Sequence, residues 1–291
     1  MSVSGKSSVA RLFAFGIPLV TVGAFILAPI AIMAVISFWQ KTGFSMRPAF
    51  VLDAYRAFLG GVRFEVFIRS LWVATSSMVI MLLIAYPVAF LIATRVRPDL
   101  VRTVLFLFSV PFLVNYILRT FAWADILGRS GAVNSFVLWL GITEQPLDWL
   151  LYSQFSVYLG LVTAYMPFMV FPIWLSLSGI DRRLQEASWM LGEGPRHTFL
   201  RVTLPLSLPG VFAAAIFGFV GAFGEFAVST ILGGTGYQLL GNSIVSALDV
   251  INYPLAAAMS TFTVGLMAVL MLFWFRLFDL RLFLGKIMGR S

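Results

Sequence analysis

Six stretches of the chain run for about 20 residues or more with few polar positions, and they lack the strict alternation of polar and apolar residues seen in barrel strands. They cover residues 12–38, 70–94, 100–122, 155–178, 209–232 and 254–278. In hydrocarbon every backbone polar group must be bonded internally, and about 20 apolar helical residues cross a bilayer. The pattern predicts six transmembrane helices and an all-α membrane protein. The first run is longer than the roughly 7–15 residues of a signal-peptide core, so it reads as a retained helix. Composition agrees: 60% of the 291 residues are apolar or aromatic and 11% are charged. A water-facing domain of this size needs roughly a quarter of its residues charged.

The polar segments between the runs set the orientation. With the N-terminus inside, the inner segments hold Lys6, Arg11, Arg95, Arg97, Arg102, Arg182, Arg183, Arg196, Arg201, Arg276, Arg281, Lys286 and Arg290. The longer outer segments hold Lys41, Arg47, Arg56, Arg63, Arg69, Arg119 and Arg129. Lys and Arg favour the cytoplasmic side, so the bias of thirteen to seven places both termini in the cytoplasm. The net charge of +8 is spread between apolar runs and not along one soluble face, which argues against nucleic acid as a partner. With no cysteine and one histidine, disulfide frameworks, cysteine–metal sites and all-histidine metal sites are excluded, and no cofactor is expected. The chain reads as one transmembrane domain over residues 1–291, with a short helix expected at 131–140 in an outer loop.

Proline falls within several predicted helices, at Pro18, Pro29, Pro87, Pro111, Pro167 and Pro172. Each is either a packing kink whose freed carbonyls find neighbours or a flexing point in a moving helix.

The inner segment 179–208 stands apart. Leu184, Ala187, Ser188 and Leu191 fall at i, i+3, i+4 and i+7, which predicts a short amphipathic helix with Asp181 as its N-cap. Gly192-Glu193-Gly194-Pro195 then breaks it. A second short turn is expected from Arg196 to Val202, ending before Leu204-Pro205, with Pro209 restarting the next span. On these residues alone the segment is either a knob that docks on a protein or a helix resting on the inner leaflet. His197, the lone histidine, reads as a surface or docking residue and not as a ligand.

A resemblance separates the two. Glu186-Ala187-Ser188, three residues, Gly192, nine residues, Val202, one residue and Leu204-Pro205 resemble the EAA loop of ABC importer permeases. That resemblance implies the type I importer permease fold in a bacterial cytoplasmic (inner) membrane. It also implies a second homologous permease subunit, a dimer of ATP-binding cassette ATPases beneath and an extracytoplasmic solute-binding protein outside. The loop would be the coupling helix, in which Glu186 gives a charged contact to the ATPase, Ala187 the close-packed face and Gly192 the turn, with Ser188, Val202, Leu204 and Pro205 completing the motif. The chain lacks a Gly-x-x-x-x-Gly-Lys-Ser/Thr phosphate loop, so it is read as a transport subunit and not an enzyme, with ATP hydrolysed on its partner. An ion-gradient carrier would also have such spans, and it leaves the loop unexplained.

A second resemblance reaches across residues 70–278. Arg119-Thr120-Phe121-Ala122-Trp123, Tyr165-Met166-Pro167-Phe168, Gly224-Glu225-Phe226 with Leu232-Gly233-Gly234, Gly241-Asn242 and Tyr253-Pro254-Leu255-Ala256-Ala257-Ala258 are similar to the spermidine/putrescine permease group. The implied cargo is a polyamine; thiamine, ferric iron or another small solute stays open. A cation path needs carboxylates or aromatic faces at depth. Glu225, Asp125, Tyr116, Trp123, Tyr165 and Phe223 are the candidates. Asn115, Arg119 and Trp123 recur every four residues and share one helix face, so Arg119 either lines the path or pairs with Glu225 or Asp125 to join two helices.

Overall fold

The structure is a computed structural model that describes residue 16 and residues 20–277. The described elements follow in chain order. Helix α1 is Val20–Ile36, with a π-helical turn at Gly23–Leu27. Strands β1 (Gln40–Thr42) and β2 (Ser45–Arg47) pair as an antiparallel hairpin turned at Gly43. Helices α2 (Asp53–Leu59), α3 (Val62–Arg95), α4 (Pro98–Leu113), α5 (Tyr116–Leu127) and α6 (Ala132–Trp139) come next. Then come α7 (Gln154–Ser178), α8 (Arg182–Met190), α9 (Pro195–Phe223), α10 (Ala227–Gly233), α11 (Leu240–Asp249) and α12 (Tyr253–Leu277).

Among the described residues four helices are long and apolar enough to cross a membrane: α3, α7, α9 and α12. A fifth candidate is the bent pair Pro98–Leu113 and Tyr116–Trp139, whose axes differ by 82°. α1 is shorter, and of the predicted run 12–38 the residues before 20, apart from 16, lie outside those described. Lys6, Arg11, Pro18, Arg281, Lys286 and Arg290 lie outside as well.

The chain divides into two compact units, Met1–Phe64 with Ser243–Phe273 and Glu65–Asn242 with Trp274–Ser291. In the first, the Ser37 and Tyr55 hydroxyls lie 2.7 Å apart, Phe38 stacks on Phe50 at 4.8 Å, and Phe58 meets the ring edge of Phe262. The second unit contains the segment 179–208 and every candidate pathway residue. Its core joins Met81, Ala85, Ala89 and Ile92 of α3 to Met169, Val170, Ile173 and Leu177 of α7 and Ala214 of α9. Lipid tails give apolar helices little drive to associate, so close backbone approach through small residues carries such packing. Gly210 shows it: a Cβ there would lie 2.5 Å from the Pro172 carbonyl oxygen and from Ser176 Cβ.

Two breaks and one continuity differ from the expected helices. The run 100–122 is split at Val114-Asn115, and the run 209–232 is split at Gly224–Phe226. Conversely, the turn expected over Arg196–Val202 does not stop before Leu204-Pro205; α9 runs unbroken from Pro195 to Phe223. A π-helical turn at Phe199–Thr203, closed by the Leu204 N–H on the Phe199 carbonyl, accounts for it. Proline clashes with the carbonyl four residues back, here that of Arg201, and the wider turn moves that carbonyl out of regular α register.

Candidate functional site

The loop after α7 is built from caps. α7 ends on Gly179, and the Asp181 side chain accepts the Arg183 N–H to start α8, as its spacing predicts. α8 ends where Gly192 takes a φ of +85°, a left-handed conformation that glycine adopts without strain. The chain then reverses into α9. The buried Ser188 and Thr198 hydroxyls lie 2.9 Å apart, and Gln185 Nε2 donates to Thr203 Oγ1 at 3.3 Å, so α8 is tied to the root of α9. Glu193 accepts from Arg201 Nη1 at 2.8 Å, and His197 Nδ1 lies 3.8 Å from its other oxygen. His197 is exposed, as a surface residue would be.

Of the stripe Leu184, Ala187, Ser188 and Leu191, only Ser188 is buried. Leu191 is 84% exposed and its neighbour Met190 89%. The helix therefore turns apolar side chains away from its own protein, flanked by the exposed Glu186 and Ala187. Val202 and Leu204 are half-buried and Pro205 is exposed in the first turns of α9. Sequence spacing finds the stripe; it does not reveal that Met190 and Trp189 widen the exposed face. Behind α8 lies a cavity of about 950 Å³, lined among others by Arg95, Arg182, Arg196, Glu186 and Trp174.

The candidate pathway residues separate into two groups. Glu225 is buried, and its Oε1 accepts the backbone N–H groups of Phe226 (3.0 Å), Ala227 (2.8 Å) and Val228 (3.1 Å). Its Oε2 accepts the Tyr165 hydroxyl at 2.5 Å. Phe223 is buried beside it, stacked on Phe219 at 5.8 Å and edge-on to Phe67 at 5.7 Å. These three residues are tied into the fold. Tyr116, Trp123 and Asp125 lie on α5, where Tyr116 and Asp125 are exposed and Trp123 is half-buried. Among the described residues Asp125 forms no ion pair.

Arg119 does not pair with Glu225 or Asp125. Its Nη1 donates to the Pro111 carbonyl at 3.0 Å, and its Cζ lies 4.6 Å over the Phe112 ring. The physical reason is the break at Val114-Asn115. It orphans the last carbonyls of α4, and an unbonded carbonyl in hydrocarbon costs several kcal/mol, so the guanidinium bonds there. Asn115 is not part of a continuous face with Arg119 either, because it is the N-cap of α5, accepting the Ile117 N–H.

Further polar side chains fasten α10 and the start of α11. Asn242 Oδ1 accepts from Ser229 Oγ (2.7 Å) and the Leu239 N–H (3.1 Å), while its Nδ2 donates to Thr230 Oγ1. Ser70 Oγ accepts the Leu240 N–H at 2.8 Å, and Ser156 Oγ donates to the Leu232 carbonyl at 2.8 Å. Arg69 lies 4.2 Å over the Tyr237 ring. Burial raises the Tyr237 pKa, outweighing the nearby Arg69 cation, so the pair is a cation–π contact and not an ion pair. Ser70 and Ser156 were not singled out from sequence, where serines in apolar runs carry no distinguishing pattern.

The long apolar helices, the broken spans and the knob after α7 define a permease of the ABC importer fold. The same fold is seen in the crystal structure of a bacterial ABC transporter that imports the acidic polysaccharide alginate. The match has a TM-score of 0.70 at 16% identity and covers 93% of this chain and 96% of that one. The alginate transporter in complex with alginate pentasaccharide-bound periplasmic protein matches with a TM-score of 0.68 at 15% identity, over 92% and 93% of the two chains. Residues 67–283 match the family described as binding-protein-dependent transport system inner membrane component, and the chain belongs to that family. It is a multi-pass inner-membrane protein with a role in transport. Among its relatives, the spermidine/putrescine transport system permease protein PotB of Escherichia coli K12 is 35% identical over 234 residues, 79% of this chain and 83% of that protein.

Proposed function

We propose that this chain is the permease subunit of an ATP-driven importer of polyamines or related small organic cations. It has six spans and cytoplasmic termini, working as one transmembrane domain beside a second homologous permease. The family description and the E. coli relative support the class and the cargo. The alginate transporter's periplasmic protein supports a solute-binding partner outside. The observation that carries the coupling role is the outward-turned apolar stripe of α8 on a root stitched to α9. A rigid root with an unpartnered tip suits a knob that receives force from a separate ATPase. Glu186, Ala187, Ser188, Gly192, Val202, Leu204 and Pro205 are its coupling residues. Along the path, Asp125, Trp123 and Tyr116 offer carboxyl and aromatic faces to an amine, and Tyr165, Phe223 and Glu225 form the frame behind them. Cation–π contacts of about 0.5–2 kcal/mol suffice for a site that must also release its cargo.

The test is uptake by the complete complex in proteoliposomes, with its ATPase, partner permease and binding protein. ATP-driven accumulation of labelled spermidine or putrescine is expected, and Asp125→Asn should raise the apparent KM about fivefold, the loss of about 1 kcal/mol. Accumulation of thiamine or ferric iron in place of polyamines would contradict the cargo assignment and leave the class standing.

A further inference from the structure

α7 packs on both halves of the broken span, α9 and α10. Near its start, Ser156 bonds the Leu232 carbonyl, and Gly160 leaves room for Val228 and Leu232 of α10; a Cβ there would lie 2.6 Å from both side chains. Toward its end, Met169 packs on Gly218, and Pro172 and Ser176 close on Gly210 of α9. Between these two contact zones, level with the break, stands Tyr165. Its ring lies against the bare backbone of Gly221, where a Cβ would come within 2.5 Å of it. That close approach brings its hydroxyl to Glu225. The other carboxyl oxygen is occupied by the N–H groups of Phe226, the N-cap of α10, and of Ala227 and Val228, its first two residues, which the break at Gly224 leaves without helical partners.

We infer that Tyr165 and Glu225 form a latch across the break in the fifth span, positioning residues that hold α10 in register with α7 and α9. It rests on the coupling role proposed for the loop after α7. Only three residues separate the end of α7 from the start of α8. α9 starts in the same knob, and α5, with Tyr116, Trp123 and Asp125, packs on α10. Force arriving at the knob moves α7 and α9, and the latch decides whether α10 and α5 follow.

Tyr165→Phe tests this, because it keeps the ring against Gly221 and removes only the hydroxyl. In the complete complex, stimulated kcat for ATP hydrolysis with loaded binding protein should fall about tenfold, with the KM for that protein unchanged. Yield of the assembled complex should match the wild type, with only a small drop in melting temperature from the carboxyl oxygen left unbonded. Glu225→Gln, whose amide oxygen can still accept the three N–H groups, should melt like the wild type. Combined with Tyr165→Phe it should add little further loss of stimulation. Normal stimulation in Tyr165→Phe would overturn the latch, as would a loss explained by reduced assembly. A wild-type complex whose hydrolysis is not stimulated at all would overturn the coupling reading and the latch together; a stimulated wild type with an unaffected variant overturns the latch alone.

Discussion

Replacing Gly192 with valine is expected to reduce binding-protein-stimulated ATP hydrolysis by the complete complex more than tenfold, while the subunit still inserts and assembles. At φ +85° an L-residue pays about 1–2 kcal/mol, and a β-branched one pays more. There is open space around the position, so no clash competes with this backbone effect. The turn relaxes by swinging α8 about the Ser188–Thr198 contact, and the exposed stripe leaves its docking angle. Gly192→Asn is the control, since asparagine tolerates the left-handed region, and it should retain most of the stimulation. Glu186→Ala should give a milder loss of a few fold. Its side chain is exposed and forms no ion pair among the described residues, so the loss would arise at the partner surface. Unaltered stimulation in both Gly192→Val and Glu186→Ala would remove the docking role from this loop.

Glu225→Ala carries the largest expected cost in stability. It strips one acceptor from three N–H groups and orphans the Tyr165 hydroxyl. Unsatisfied buried groups cost about 1–3 kcal/mol each, so roughly 3 kcal/mol or more is expected in total, partly recovered by local rearrangement. Purified complex should be scarce, and its melting temperature should drop by several degrees. A variant that assembled and melted normally but lost only cargo affinity would show that Glu225 is a cargo ligand and not a cap.

These two positions also mark how far the sequence reaches. Continuous apolar runs located α3, α7 and α12 to within a few residues at most ends, because backbone self-satisfaction in lipid leaves few alternatives to helix. α3 begins eight residues earlier than its apolar run, since Arg63, Glu65 and Arg69 suit the opening two turns of a helix outside hydrocarbon as well as a loop. The loop after α7 was legible from its caps and spacing. Its second half was not, because a π turn that admits Pro205 has no local signature. The breaks at Val114-Asn115 and Gly224–Phe226 escaped for a related reason. Both interrupt apolar runs, and what stabilises them is a charged side chain bonding freed backbone groups: Arg119 on the Pro111 carbonyl and Glu225 on the N–H groups of the three residues that follow it. Periodicity registers Arg119 and Glu225 as charges at depth that need a partner. It cannot say that the partner is main chain, and so the Arg119–Glu225 or Arg119–Asp125 pair, one of the two readings of Arg119, is replaced by two caps. Pro87, Pro167 and Pro172 lie within unbroken helices, whereas Pro111 stands three residues before a break.

All of this depends on force reaching the lipid-embedded helices from a nucleotide-hydrolysing partner. The direct measurement is solute accumulation in proteoliposomes carrying the complete complex, compared with the same complex built on a hydrolysis-defective ATPase. Accumulation should require ATP with the active partner and vanish with the defective one, whatever ion gradient is imposed. Uptake that persists with the defective partner and follows the gradient would contradict it.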